Sequence, residues 1–228
     1  MSHEGSGRGR LRDARRARAH RGGDQESAAP ASPSHSHVAA DAFWTHWEER
    51  NIAHYWEPYR PYKEICRLSL EETFERFGVP GGDGGLIQRY FDVYPRFELY
   101  PDVLPTLEIL GRRSRFALVS NIDDDLLAAA KLGRDFDLVC TAERARGYKP
   151  DGRLFRYLID RAGVGIEEIL HSGQSQLTDL VGGKPLGLTI AWINRRGLAL
   201  RPTVPPPDFI FPGLAPLLPL LGDKPERV

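Results

Sequence analysis

The chain has 228 residues, 41% of them hydrophobic, enough to bury one core or a core with an inserted unit. Its 31 basic and 31 acidic side chains cancel, so no whole-molecule field points to nucleic acid or to a membrane surface. Cys66 and Cys140, the two cysteines, lie far apart and outside any CxxC pattern, which argues against a disulfide framework or a cysteine metal knuckle and for a reducing, cytoplasmic setting.

Residues 1–38 are rich in arginine, glycine, serine, alanine and proline, with only Met1, Leu11 and Val38 as large aliphatic side chains. Such a segment cannot offset its ordering entropy by burial, and the composition predicts disorder. Arg8, Arg10, Arg12, Arg15, Arg16, Arg18 and Arg21 form a basic cluster, the pattern of an arm for anionic surfaces. Glu4, Asp13, Asp24 and Glu26, with no apolar face, argue against a targeting peptide.

From Ala42 to about Leu99 the chain turns aromatic and charged. Phe43, Trp44, Trp47, Tyr55 and Trp56 stand at spacings that suit an amphipathic helix, and Tyr62, Ile65, Leu68, Leu70 and Phe74 continue into a second. Packing of the helices on one another accounts for most of these rings. Gly81-Gly82-Asp83-Gly84-Gly85 reads as a flexible loop, Leu86 to Phe91 as resumed helix, and Asp102 as the cap of a helix running through Leu110.

The second half alternates strands and helices. Phe116-Ala117-Leu118-Val119 is a short apolar run that ends at Ser120-Asn121 before the acidic helix start Ile122-Asp123-Asp124-Asp125. Asp137-Leu138-Val139-Cys140-Thr141, Ile169-Leu170-His171-Ser172 and Leu188 to Ile193 are further strands, and Asp208-Phe209-Ile210 is a short one before a weak terminal helix. Pro216 and Pro219 break the apolar tail, so it is no membrane span. The alternation implies an α/β fold with a parallel sheet, in which ligands sit beyond the carboxyl ends of the strands. Ser120, Asn121, Lys149, Gln174, Ser175 and Asp179 all fall there. Each has a plain alternative: Ser120 and Asp179 as helix caps, Lys149 as a solvated charge, Gln174 and Ser175 as turn residues.

Ser120-Asn121, Tyr148-Lys149-Pro150-Asp151 and Gly173-Gln174-Ser175 with Asp179 resemble motifs two, three and four of the haloacid dehalogenase-like hydrolases. The wording Ser-Asn-Ile-Asp-Asp-Asp, Tyr-Lys-Pro-Asp and Trp-Ile-Asn-Arg-Arg-Gly is most similar to the type II 2-haloacid dehalogenase branch, over roughly residues 42 to 200. The resemblance implies a Rossmann-like core, residues 100–228, with a helical cap, residues 42–99, whose Tyr59-Arg60-Pro61-Tyr62 matches a family element. It implies catalytic roles for Lys149, Asp179 and Ser175, and substrate contacts from Ser120, Asn121, Gln174 and Arg60. The implied partner is a small anionic substrate, a 2-haloacid or a phosphate ester, with no nucleic acid or membrane partner; a homodimer is compatible with it. No cofactor is expected. Gln174 stands where phosphatase members carry an acid for magnesium, which disfavours that ion.

The family's first motif is a strand ending in Asp-x-Asp or Asp-x-Tyr-Gly-Thr, whose first aspartate is the nucleophile. The sequence contains no such segment, since Asp13 and Asp24 follow no strand and Asp92-Val93-Tyr94 runs into Pro95-Arg96. The central sheet strand is therefore expected to be missing, with catalysis impaired, stability low and residues 1–38 standing in place of the native start. Phe155 occupies the position of a tyrosine carried by strict dehalogenases, and the arginine after their first motif is absent too. A non-catalytic small-anion binder or an interaction protein is the alternative.

Overall fold

The computed structural model describes residues 38–222. The expectations for the basic arm and for the missing strand before Val38 lie outside the described residues.

Two long helices open the described chain, α1 (Ala40–His54) and α2 (Tyr62–Arg76). α1 turns Trp47, Asn51 and His54 inward, so its inner face is half polar. Trp47 donates its indole N–H to the Cys66 carbonyl at 3.1 Å, while His54 Nε2 meets Glu72 at 3.0 Å and Arg50 pairs with the same carboxylate. α2 supplies Ile65, Cys66 and Leu70 to the contact. Trp56, expected within the first helix, lies past its end and is 56% exposed. A 3-10 turn at Gly84–Ile87, capped by the Asp83 carboxylate on Gly85 N at 2.8 Å, leads into α3 (Gln88–Phe91), so the glycine loop is ordered by its own aspartate.

The remainder alternates as predicted: α4 (Val103–Leu110), β1 (Ala117–Ser120), α5 (Asp124–Ala129), β2 (Leu138–Thr141), α6 (Ala142–Ala145), α7 (Arg153–Ala162), β3 (Leu170–Gly173), a π-helical turn (Gln176–Leu180) continuing into α8 (Val181–Gly183), β4 (Thr189–Ile193), β5 (Phe209–Phe211) and α9 (Leu217–Gly222). Asp102 precedes α4 but its carboxylate does not cap it. That carboxylate accepts from Arg195 at 2.9 Å and from Leu214 N at 2.8 Å, tying the start of α4 to the end of the fold.

All pairings are parallel and fall into two sheets, β1-β2 and β3-β4-β5. β4 is central in its sheet and buried from Ile190 to Ile193, which is why its sequence is a continuous apolar run. Among the described residues β1 pairs only with β2 and β3 only with β4, so each keeps one edge without a strand partner. β1 is exposed at Ala117 and half-buried from Leu118 to Ser120, whereas Cys140 and Thr141 of β2 are fully buried.

One apolar cluster joins the α1–α2 layer to the sheet-bearing part, running from Trp47, Tyr55 and Ile65 to Ile122, Leu126 and Tyr148. A second, built on Leu154, Phe155, Leu158, Leu180, Leu188, Ile190 and Trp192, also takes in Cys140 and Val119, so both sheets share it. Cys66 and Cys140 are buried free thiols, and burial pushes their pKa values up to about 12 and about 11, which leaves them protonated and inert. No helix among the described residues is long and apolar enough to cross a membrane.

Candidate functional site

The carboxyl ends of β1 and β3 meet through Lys149. After β1, Asn121 accepts a hydrogen bond on Oδ1 from the Lys149 backbone N–H at 2.9 Å. After β3, Asp179 accepts from Lys149 Nζ on Oδ1 at 2.8 Å. The lysine is thus bound through its backbone to one strand end and through its side chain to the other. Asp179 is held further by the Ser175 N–H on Oδ2 at 2.8 Å and by His171 Nε2 on Oδ1 at 2.9 Å. Asn121, Lys149 and Asp179, which the sequence places in separate loops, are therefore connected, and Ser120 stands one residue before Asn121.

Two glycines make that closeness possible. A Cβ on Gly173 would lie 2.4 Å from Asp179 Cγ, so only glycine lets the carboxylate fold back against β3. A Cβ on Gly182 would sit 1.8 Å from the Lys149 carbonyl oxygen, so the helix after Asp179 accepts the Lys149 loop only where it carries no side chain. The loop is shaped from its other side by Asp151, whose Oδ1 accepts from Arg153 N at 2.8 Å at the start of α7.

Electrostatics follow from burial. The side chains of Lys149 and Asp179 are only 13% and 3% exposed. Burial alone pushes the Asp179 carboxyl up, but the Lys149 charge and the hydrogen bonds from His171 and Lys149 outweigh it and hold the group well below the usual carboxylate range. An ionised Asp179 is acceptor-only, and its two oxygens are taken by three donors. Gln174 next to it carries no charge, and among the described residues no group of three or more His, Cys, Asp and Glu could hold a metal ion.

The other expected site residues divide. Ser120 ends β1 half-buried, with its carbonyl accepting from Ile122 N at 2.9 Å. Ser175 acts locally, its hydroxyl accepting from Thr178 N at 3.2 Å as a helix cap while its backbone holds Asp179. The Gln174 side chain is exposed, and its backbone carbonyl accepts the Trp192 indole N–H at 3.0 Å. Arg60 stands apart from Lys149 and Asp179. Its guanidinium pairs with Glu57 at 3.1 Å and reaches toward Glu64 at 3.9 Å.

Two acidic and basic groups were not singled out as site residues. His171 lies in the short strand Leu170–Gly173, where on a strand's period of two it shares a face with Gly173, next to Asp179. Asp123 is hidden in a run of three aspartates that reads as a helix start. It is buried and accepts from Tyr62 N at 2.8 Å and Lys63 N at 2.9 Å, which caps α2 from the far side of the site. Burial raises its pKa, against the pull of those two N–H groups. Tyr148, one residue before Lys149, stacks on Tyr55 at 4.4 Å and donates its hydroxyl to the Arg60 carbonyl at 2.7 Å. The α1–α2 layer is therefore fastened beside the rim by residues adjacent to the site.

No family model matches the chain. Among curated proteins it is 28% identical over 198 residues to (S)-2-haloacid dehalogenase 4A of Burkholderia cepacia, covering 82% of this chain and 82% of that protein. It is 30% identical over 182 residues to a phosphoserine phosphatase of Thermus thermophilus, covering 77% of this chain and 71% of that protein. Among solved structures a dehalogenase with an intermediate complex superposes with a TM-score of 0.71 at 27% identity, covering 82% of this chain and 87% of that one. A parallel α/β fold that brings Asn121, Lys149 and Asp179 together, with these relatives, defines the class: the chain belongs to the haloacid dehalogenase-like hydrolases. Two further dehalogenases resemble it, haloacetate dehalogenase H-2 of Moraxella sp. at 25% identity and (S)-2-haloacid dehalogenase 1 of Pseudomonas sp. at 26%.

Proposed function

We propose that this chain takes a small organic anion, a 2-haloacid or a phosphate monoester, at the carboxyl ends of β1 and β3. Lys149 carries the proposal. It is a nearly buried ammonium bound at the joint between the two sheets, with one donor spent on Asp179 Oδ1 at 2.8 Å. An ammonium has three donors, so two remain for an incoming anion. Ser120, which ends β1 one residue before Asn121, would add its hydroxyl. Asn121, whose side-chain carbonyl is committed to Lys149 N, offers its amide NH2.

In this proposal Lys149 and Asp179 form the charged machinery, Ser175 positions Asp179, Ser120 and Asn121 bind the anionic group, and Gln174 borders the pocket. Arg60 joins only by giving up Glu57. The helices of residues 42–99 act as a cap over a core of residues 100–228, and such a cap excludes water and strengthens the charge contacts beneath it. The named activities of the relatives, a 2-haloacid dehalogenase and a phosphoserine phosphatase, share a small anionic substrate, which supports the class and leaves the leaving group open.

Hydrolysis through a covalent ester needs a nucleophilic carboxylate at a strand end between Ser120 and Asp179, and the sequence contains no apolar strand ending in such an aspartate. The proposal is accordingly binding with impaired turnover, the alternative being a purely non-catalytic anion binder. Calorimetric titration of the chain with 2-chloropropionate and with p-nitrophenyl phosphate, alongside halide-release and nitrophenol assays, tests it. Saturable binding with little or no turnover is expected. Absence of binding for both compounds would remove the proposal, and vigorous release of halide or nitrophenol would remove the impairment.

A further inference from the structure

We infer that His171 is a positioning residue for Lys149, acting through Asp179; the inference rests on the anion-binding proposal above. His171 lies in β3, is 9% exposed, and places Nε2 2.9 Å from the same Asp179 Oδ1 that Lys149 Nζ approaches at 2.8 Å. The ionised carboxylate can only accept, so the imidazole must donate, which fixes the proton on Nε2. The ring is wedged edge-on against the fully buried Phe155, centroids 4.9 Å apart at 81°, so it cannot swing away from the carboxylate. Lys149, by contrast, is a point charge on a flexible four-carbon stem.

The geometry assigns different work to the two donors. With the Ser175 N–H fixed on Oδ2 and His171 fixed on Oδ1, the carboxylate plane is set by rigid backbone and a rigid ring. Lys149 then donates one hydrogen bond to a carboxylate already partly satisfied. Without the imidazole, Oδ1 would be left to Lys149 alone in a buried setting. The carboxylate would rotate toward the ammonium and draw it back from the strand ends, because a desolvated carboxylate gains most from a full pairing with its counter-ion. His171 thereby keeps the lysine forward, with two N–H groups directed away from Asp179.

The test uses the 228-residue chain and two substitutions. His171→Phe keeps the ring's bulk and removes the donor; His171→Gln restores a donor. Affinity for 2-chloropropionate and for inorganic phosphate is read by calorimetry, and the ring and lysine protons by 15N-resolved NMR. The expected result is a proton on His171 Nε2, roughly tenfold weaker anion binding in the Phe variant, and recovery to within about threefold in the Gln variant, since a hydrogen bond to a charged group contributes on that order. Equal affinity in both variants and the native chain would overturn the inference, as would a ring proton on Nδ1 alone, a measurement that needs no variant to fold. Should the native chain bind neither anion, the binding proposal fails by itself. The positioning role then stands if the Lys149 ammonium resonance shifts in the Phe variant and returns in the Gln variant, and falls if it is the same in all three.

Discussion

Asp123, just past the end of β1, accepts the Tyr62 N–H at 2.8 Å, across a sequence separation of 61 residues. The same carboxylate takes Lys63 N at 2.9 Å, so the free N–H groups at the start of α2 are satisfied by the loop that also carries Asn121. Replacing Asp123 by Ala strips that cap and leaves buried N–H groups unpaired. The expected cost is about 1–2 kcal/mol in urea unfolding, with increased proteolysis of the segment between α1 and α2. Unchanged stability would mean that the contact contributes nothing.

Lys149→Met should abolish anion binding, because it removes the charge while keeping the length of the stem. It also leaves Asp179 ionised and buried with only His171 and the Ser175 N–H as donors, so the folded state should lose about 3 kcal/mol, the range for breaking a buried pair at one partner. The paired change Lys149→Met with Asp179→Asn should recover part of that loss but none of the binding, as read by urea titration and calorimetry.

Gly182→Ala sets a methyl group 1.8 Å from the Lys149 carbonyl oxygen. Backbone must move, and the expected result is destabilisation of roughly 1–3 kcal/mol together with loss of anion affinity. Gly163→Ala serves as the control, since a Cβ there meets nothing within 4 Å and its only penalty is the strain of φ +67°. It should lower stability without touching affinity.

Stability should fall in acid. Asp179 is held well below the usual carboxylate range, and Asp102, Asp124, Asp125, Asp208 and Glu72 are lowered as well. Each folded state binds fewer protons than the unfolded chain, so these groups contribute stability above about pH 4, and that contribution is lost as pH falls through the folded values. Asp123, raised by burial, acts in the opposite sense, its folded state favouring the protonated form. One group against six leaves the acid side weaker. A midpoint of chemical unfolding that stays flat from pH 7 to pH 3 would contradict this.

Among the described residues β1 and β3 each keep one edge without a strand partner, which predicts a low and broad thermal transition, with aggregation on heating, because unpaired strand edges template pairing between chains. Calorimetry of the 228-residue chain should show it. A sharp, reversible, cooperative peak would mean that the two sheets behave as one unit.

Much of this was legible in the sequence. The strands of the second half carry continuous apolar runs that end in polar loops, a local signal, and all appear near their expected bounds. Lys149 and Asp179 could be placed at strand ends because spacing along the chain determines which end of a parallel sheet a loop occupies. What escaped depends on pairs far apart in sequence. Asp102 reads as a helix cap but spends its carboxylate on Arg195 and Leu214, partners that only tertiary folding supplies. His171 looks like one polar residue in a strand until Asp179 folds back over Gly173. The polar inner face of α1 likewise becomes reasonable only once Glu72 of α2 sits opposite His54.

Tyr148 and Lys149 are consecutive residues with different allegiances: one is clasped between aromatic rings of the first helical layer, the other reaches for Asp179. Any shift of that layer pulls on the tyrosine, and only the φ and ψ rotations flanking one peptide bond stand between it and Lys149. Under the anion binding proposed above, a displaced layer and a misaimed charge would be the same fault.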